Sequence, residues 1–249
     1  MKQNKSILLS IVSVVIMFVM YFGTQNGWFG ENPVGRTGNY NQPLIVPQPY
    51  AFAIWGIIYL GITVLPIYHW IKRKEGNELW LPFRTLFSVN VICNGFWLIA
   101  ASYDWLWISV GIIFIMLVTL YKMRSILEKL KAEQVSINYW LEEFVIHVYM
   151  AWITLASVLN ISAALTMYQW DGFGQSDLFW SLIILSITAF IGWLVFNKYG
   201  DRAFAGVVIW AFVAIIVKHL EPFPPIAYLS IGVVVLFGIL MILPRKRLG

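Results

Sequence analysis

Eight apolar runs free of Asp, Glu, Lys and Arg recur along the chain, at residues 7–22, 50–71, 85–102, 106–121, 144–167, 178–196, 203–217 and 226–243. Each is near the ~20 residues that a helix needs to cross the hydrocarbon of a bilayer. The pattern predicts an all-α fold, a polytopic membrane helix bundle of eight transmembrane helices. Most connections between the runs are short. The exception is residues 23–49, "GTQNGWFGENPVGRTGNYNQPLIVPQP". Its Gly, Asn and Pro content argues against regular structure, and a loop this long in a compact bundle is usually functional or disordered. It could lie as a lid over the outer mouth.

Composition agrees with the runs. Hydrophobic residues make up 60% of the chain and charged residues 12%, with a mean hydropathy of +0.75. A water-soluble globule would carry about 25% charged residues. The basic residues then orient the spans, because cytoplasmic loops retain Lys and Arg. Eight spans place 15 of the 17 on one side, leaving only Arg36 and Lys218 opposite. Both termini are therefore expected in the cytoplasm, in a multi-pass protein of the plasma membrane whose partner is lipid. The pI of about 9.3 reads as a topology signal, with no nucleic-acid partner implied. "MKQNKS" before the first run looks like a secretion signal, yet no small-residue cleavage site follows "MFVMYFG", so the segment is expected to stay as a span.

Between the fourth and fifth runs, "KMRSILEKLKAEQVSINYWLEE" suits a helix end projecting into the cytoplasm, with Glu128 and Lys131 at i,i+3. The lone Cys93 excludes an internal disulfide and a cysteine metal cluster. The 13 tryptophans sort by depth. Trp28, Trp70, Trp80, Trp105, Trp107, Trp140, Trp170 and Trp180 fall near span ends, where indole rings anchor in the interface. Trp55, Trp97, Trp152, Trp193 and Trp210 lie deeper and require another account.

Three of the deep tryptophans sit in recognisable strings: "AFAIWGIIY" in the second span, "NGFW" from Asn94 to Trp97 in the third, and "YMAWITLASVLN" from Tyr149 to Asn160 in the fifth. In order and spacing they resemble the TspO/translocator-protein family of tryptophan-rich sensory proteins, over roughly the first 168 residues. Phe52 and Trp55 are three apart where the family usually has four, no proline precedes Trp55, and His147-Val148 replace the family's Pro before Tyr149. The resemblance implies a TspO-like five-helix domain at residues 1–168 and an additional three-helix region at 169–249. It also implies a pocket among the five helices for a tetrapyrrole such as protoporphyrin or haem, lined by Trp55, Tyr59, Asn94, Trp97, Trp152, Ala156 and Asn160. No cofactor would be required beyond that bound tetrapyrrole. The protein could be a homodimer, unless the added spans cover the face that shorter relatives use.

Depth supports the same set. At 1.5 Å per residue, Trp55, Asn94, Trp97 and Asn160 fall roughly 8 to 12 Å below the outer mouth, with Trp152 nearer the midplane. Aromatic rings offer stacking to a flat ligand, the two asparagines could donate to its polar edge, and Ala156 and Gly95 would leave room. Asn in a span also ties helices together, and Trp can simply fill space between them.

"LEEFVIHVY" places Glu143 and His147 four apart on one helix face. Ionisable groups in a span are functional hypotheses by default, so this pair could relay protons or His147 could ligate a haem iron. Alternatively, Glu142 and Glu143 remain in the interface. His69 and His219 fall near span ends and are expected to be wetted. No repeated His, Cys or carboxylate spacing offers a metal site, and no motif names a catalytic nucleophile. The expectation is a membrane receptor for a hydrophobic, tetrapyrrole-like ligand, in stress response or tetrapyrrole homeostasis. Two alternatives are a transporter of a small amphipathic metabolite and a light-dependent porphyrin-degrading enzyme.

Overall fold

A computed structural model describes residues 2–30, 42–72 and 76–243. Among these residues there are eight long helices and no strand: α1 (Lys2–Gln25), α2 (Ile54–Ile71), α3 (Trp80–Ser102), α4 (Leu106–Ala132), α5 (Val145–Met167), α6 (Asp177–Tyr199), α7 (Arg202–His219) and α8 (Pro224–Ile242). All eight are long and apolar enough to cross a membrane. A 3₁₀ turn, Pro49–Ala53, leads into α2, and a π turn, Tyr139–Phe144, leads into α5.

Each helix overlaps its predicted run, and several extend beyond it. α4 continues to Ala132, through the first half of the charged segment, and Lys131 Nζ lies 3.7 Å from Glu128 as the i,i+3 spacing suggested. α3 begins at Trp80 and takes in Arg84, which lies just before the predicted run. The charge does not end the helix because it is paired inside the bundle, as described below. Arg36, Arg73, Lys74 and the basic residues 245–247 lie outside the described residues, as does the middle of the long outer loop.

The chain forms two compact units, and the division falls inside α5 between Ile153 and Thr154. In the first unit α3 packs against α1 and α4, α1 also meets α2, and the π turn meets α2 and α4. In the second unit α6, α7 and α8 pack on one another, and the Pro49–Ala53 turn packs on α7.

The faces of α1 show which solvent this fold is built for. Leu8, Val12, Val15, Val19 and Phe22 are exposed, whereas Ser6, Ser10 and Ser13 are buried. A helix in water would reverse this. In lipid, acyl chains are as apolar as leucine, so small polar residues serve the helix contacts instead. Ser10 Oγ lies 3.2 Å from Ser88 Oγ of α3, and Asn90 Nδ2 donates to Met116 O and Thr119 Oγ1 of α4 at 2.9 and 2.7 Å. Small residues also permit close approach. A Cβ on Gly95 would meet Met20 Sδ of α1, and one on Gly61 would meet the side chain of Val145. The room expected at Gly95 is thus taken by Met20, not left open.

The second unit holds its turns with local caps. Gly200 ends α6 in the left-handed region at φ 66°, and the next residue, Asp201, caps α7 by accepting from Phe204 N at 2.9 Å. Glycine suits that stop because it carries no Cβ penalty there, and the aspartate satisfies one of the free N–H groups at the start of the next helix. Residues 44–51 are strapped to α7. Leu44 O accepts from His219 Nε2 at 2.6 Å, Val46 O from Lys218 Nζ at 2.8 Å and Ala51 O from Trp210 Nε1 at 2.9 Å, while Gln48 N donates to Ala214 O. His219 is therefore buried, correcting the expectation that it is wetted. The strap's carbonyls draw it inward.

Candidate functional site

The first unit brings the predicted aromatic residues of α2 and α3 together. Trp55 and Trp97 stack with ring centroids 5.7 Å apart and planes 26° from parallel. Tyr59 lies one turn along α2 from Trp55, their rings 5.2 Å apart, and Tyr149 of α5 presents its edge to Trp55 at 6.0 Å. Phe18 and Tyr21 of α1 meet Tyr59 edge-on. Their edge-to-face geometry suits the quadrupoles of aromatic rings.

Asn94 forms the polar end of this cluster. It is fully buried; its Nδ2 donates to Tyr149 OH at 2.8 Å, and its Oδ1 accepts from Tyr59 OH at 3.4 Å. One asparagine thereby joins α2, α3 and α5. Trp152 is buried on α5, three residues beyond Tyr149. Ala156 and Asn160 continue along α5 into the second unit, where Asn160 Nδ2 donates to Ala156 O of its own helix at 2.9 Å. The two remaining deep tryptophans also belong to the second unit: Trp193 stacks on Phe190 at 5.7 Å, and Trp210 holds the strap and meets Tyr50 edge-on.

Nearer the basic end of the first unit lies a network that sequence reasoning missed. Arg84 Nε donates to His69 Nδ1 at 3.1 Å, and His69 Nε2 is 2.9 Å from Glu142 Oε1. Arginine has no acceptor, so Nδ1 must take the hydrogen bond with its lone pair and the ring proton sits on Nε2, donating to the carboxylate. A neutral imidazole thus bridges a buried guanidinium and a buried carboxylate. Arg84 Nη1 also donates to Gln3 Oε1 at 2.7 Å, and Trp80 packs its ring edge-on to His69 at 4.8 Å.

His69, Arg84, Trp80 and Glu142 are all at most 1% exposed. This corrects three expectations: His69 is not wetted, Trp80 is not an interfacial anchor and Glu142 does not remain in the interface. By sequence each falls at a span end, but the contacts that close the network join residues 15 and 73 positions apart. The available signal was chemical, since three ionisable groups at neighbouring span ends on one side require partners once the bundle closes over them.

Glu142 is held by the π turn. Asn138 Oδ1 accepts from Leu141 N at 3.1 Å while Glu142 Oε2 accepts from Asn138 N at 2.5 Å. This reciprocal arrangement is that of a capping box, with the carboxylate four residues from the cap instead of three because the π turn contains one residue more. Beside the network, Tyr68, Lys72, Asn77, Trp80, Val135 and Ser136 line an open cleft of about 580 Å³.

Glu143 and His147 share a side of the α5 entrance, and the fold adds Glu128 of α4 to them. One ligand atom from each of the three lies within 4.8 Å of the others. Lys131 Nζ is 2.5 Å from Glu143 Oε1.

Eight apolar helices, polar ties between them and ionisable groups paired within the bundle define a polytopic integral membrane protein. Comparison carries this further: the family model of TSPO-like proteins matches residues 7–243. The chain belongs to the TSPO-like protein family. The matched stretch includes α6 to α8, beyond the first 168 residues on which the motifs rested. No curated protein and no solved structure matches the chain.

Proposed function

We propose that the protein is a TspO-type membrane receptor for a flat, conjugated hydrophobic ligand, a tetrapyrrole such as protoporphyrin or haem, acting in stress response or tetrapyrrole homeostasis from the plasma membrane with both termini cytoplasmic. The observation that carries this reading is the stack of Trp55 on Trp97 with Asn94 at its end. Two large aromatic faces and a buried amide come from two helices, at the positions where the family motifs fall. Trp152, in the same unit, extends the proposed lining along α5.

In the structure the rings of the cluster close on one another, so binding requires a ring to move. A planar ligand that slides between Trp55 and Trp97 replaces one stacked contact with two, each worth about 0.5–1.5 kcal/mol beyond burial. The opened conformation is then a minor state that the ligand makes dominant, as for other cryptic pockets.

Titration of intrinsic tryptophan fluorescence with protoporphyrin in nanodiscs tests the proposal. Saturable quenching is expected, with Trp97→Ala weakening the apparent affinity about tenfold, equivalent to about 1.4 kcal/mol. Circular dichroism and gel filtration of the variant should match those of the parent. Quenching that rises without saturation, or saturates identically in a well-folded Trp97→Ala protein, overturns it.

A further inference from the structure

We infer that Glu128, Glu143 and His147 form a site for a divalent transition-metal ion of the zinc type, which Lys131 closes when no metal is bound. The three ligands come from α4, the π turn and α5, all in the same unit. Glu143 and His147 are four residues apart across the start of α5, and Glu128 stands on α4, whose end packs against the π turn. Their donor atoms lie within 4.8 Å of one another. Ligands about 2.1 Å from a tetrahedral ion are about 3.4 Å apart, so a side-chain adjustment of roughly 1.4 Å completes the set. Glu128 can supply that adjustment, since its side chain is 47% exposed. His147 is buried and supplies the fixed nitrogen.

Charge favours the exchange. The Lys131 ammonium stands 2.5 Å from Glu143 Oε1 and 3.7 Å from Glu128 Oε1. One ammonium against two carboxylates leaves a net negative charge, whereas a divalent ion neutralises both. The ammonium is held by a 38%-exposed side chain that can swing into water, so its departure costs little. One imidazole with two carboxylates is a borderline donor set, which selects a first-row ion over magnesium or calcium. Three protein ligands leave a fourth position for water or an incoming ligand. The site was invisible along the sequence because Glu128 lies on a different helix from the Glu143/His147 pair.

The experiment is a Co²⁺ titration of the full-length protein in detergent, with any purification tag removed, read by the visible d–d bands of tetrahedral cobalt. Saturable bands are expected and Zn²⁺ should abolish them. Lys131→Met removes the competing cation and should tighten binding about fivefold, the scale of a partly exposed ion pair. His147→Ala should lose the bands, and Glu128→Gln, an exposed change that the fold tolerates, should weaken them independently of any effect of His147→Ala on folding. Absence of saturable bands in both the parent and Lys131→Met overturns the inference, and so do bands unchanged by Glu128→Gln.

Discussion

The aromatic cluster around Trp55 and the network around His69 lie in the same unit and are held in opposite ways. The cluster is built from surfaces. Trp55, Trp97, Tyr59 and Tyr149 meet through ring faces and edges, and each contact survives modest rotation of its neighbours. The network is built from single atoms. Arg84 Nε, His69 Nδ1 and Nε2, and Glu142 Oε1 must each sit within hydrogen-bond distance of the next, and loss of one leaves the others charged or polar and enclosed. A region that can yield suits a ligand, whereas one that cannot yield fixes α2, α3 and the π turn in register.

This contrast is broken or sharpened by four measurements of stability in micelles. Glu142→Ala should have the largest effect, about 3–5 kcal/mol, because it strips the carboxylate from a buried guanidinium; a loss below about 1 kcal/mol would show that the network is not a rigid tie. The Asn94–Tyr149 hydrogen bond should give a coupling of about 0.6–2 kcal/mol in a double-mutant cycle of Asn94→Ala and Tyr149→Phe. Zero coupling would remove the shorter of the two polar links that Asn94 makes within the cluster. Trp97→Phe should cost on the order of 1 kcal/mol, since a smaller ring retains part of the stack. Asn160→Ala should cost about 0.5 kcal/mol, the low end of the net worth of a single hydrogen bond, here the one that its Nδ2 donates to Ala156 O. A larger loss would give Asn160 a structural duty that its Ala156 bond does not explain.

The sequence carried the spans plainly, because a helix in lipid announces itself by an unbroken apolar run. Motif spacing assigned Trp55 and Trp97 to one pocket as separate walls, whereas their rings stack directly on one another. Burial at the span ends was not legible. Trp80 and His69 look like interfacial residues by depth, and only the approach of Arg84 and Glu142 from other segments turns them inward. Nor could spacing foresee Gly95, which reads as room for a ligand until Met20 of α1 is placed against it. Glu142 and Glu143 are neighbours in the chain, yet one is enclosed against His69 and the other reaches Lys131. Adjacent residues of a helical segment point about 100° apart, and the π turn, which no propensity for "NYWLEEF" foretells, holds Glu142 as the one turned inward.

That turn also sets the azimuth of everything downstream. One residue more or fewer in a helical segment swings the following side chains by about 100°. Deleting a single position between Tyr139 and Phe144 would swing Tyr149 away from Asn94 while leaving every later residue type and the length of α5 unchanged. Chimeras with other members of the family should therefore be joined after Phe144, where the phase of the fifth helix has already been chosen.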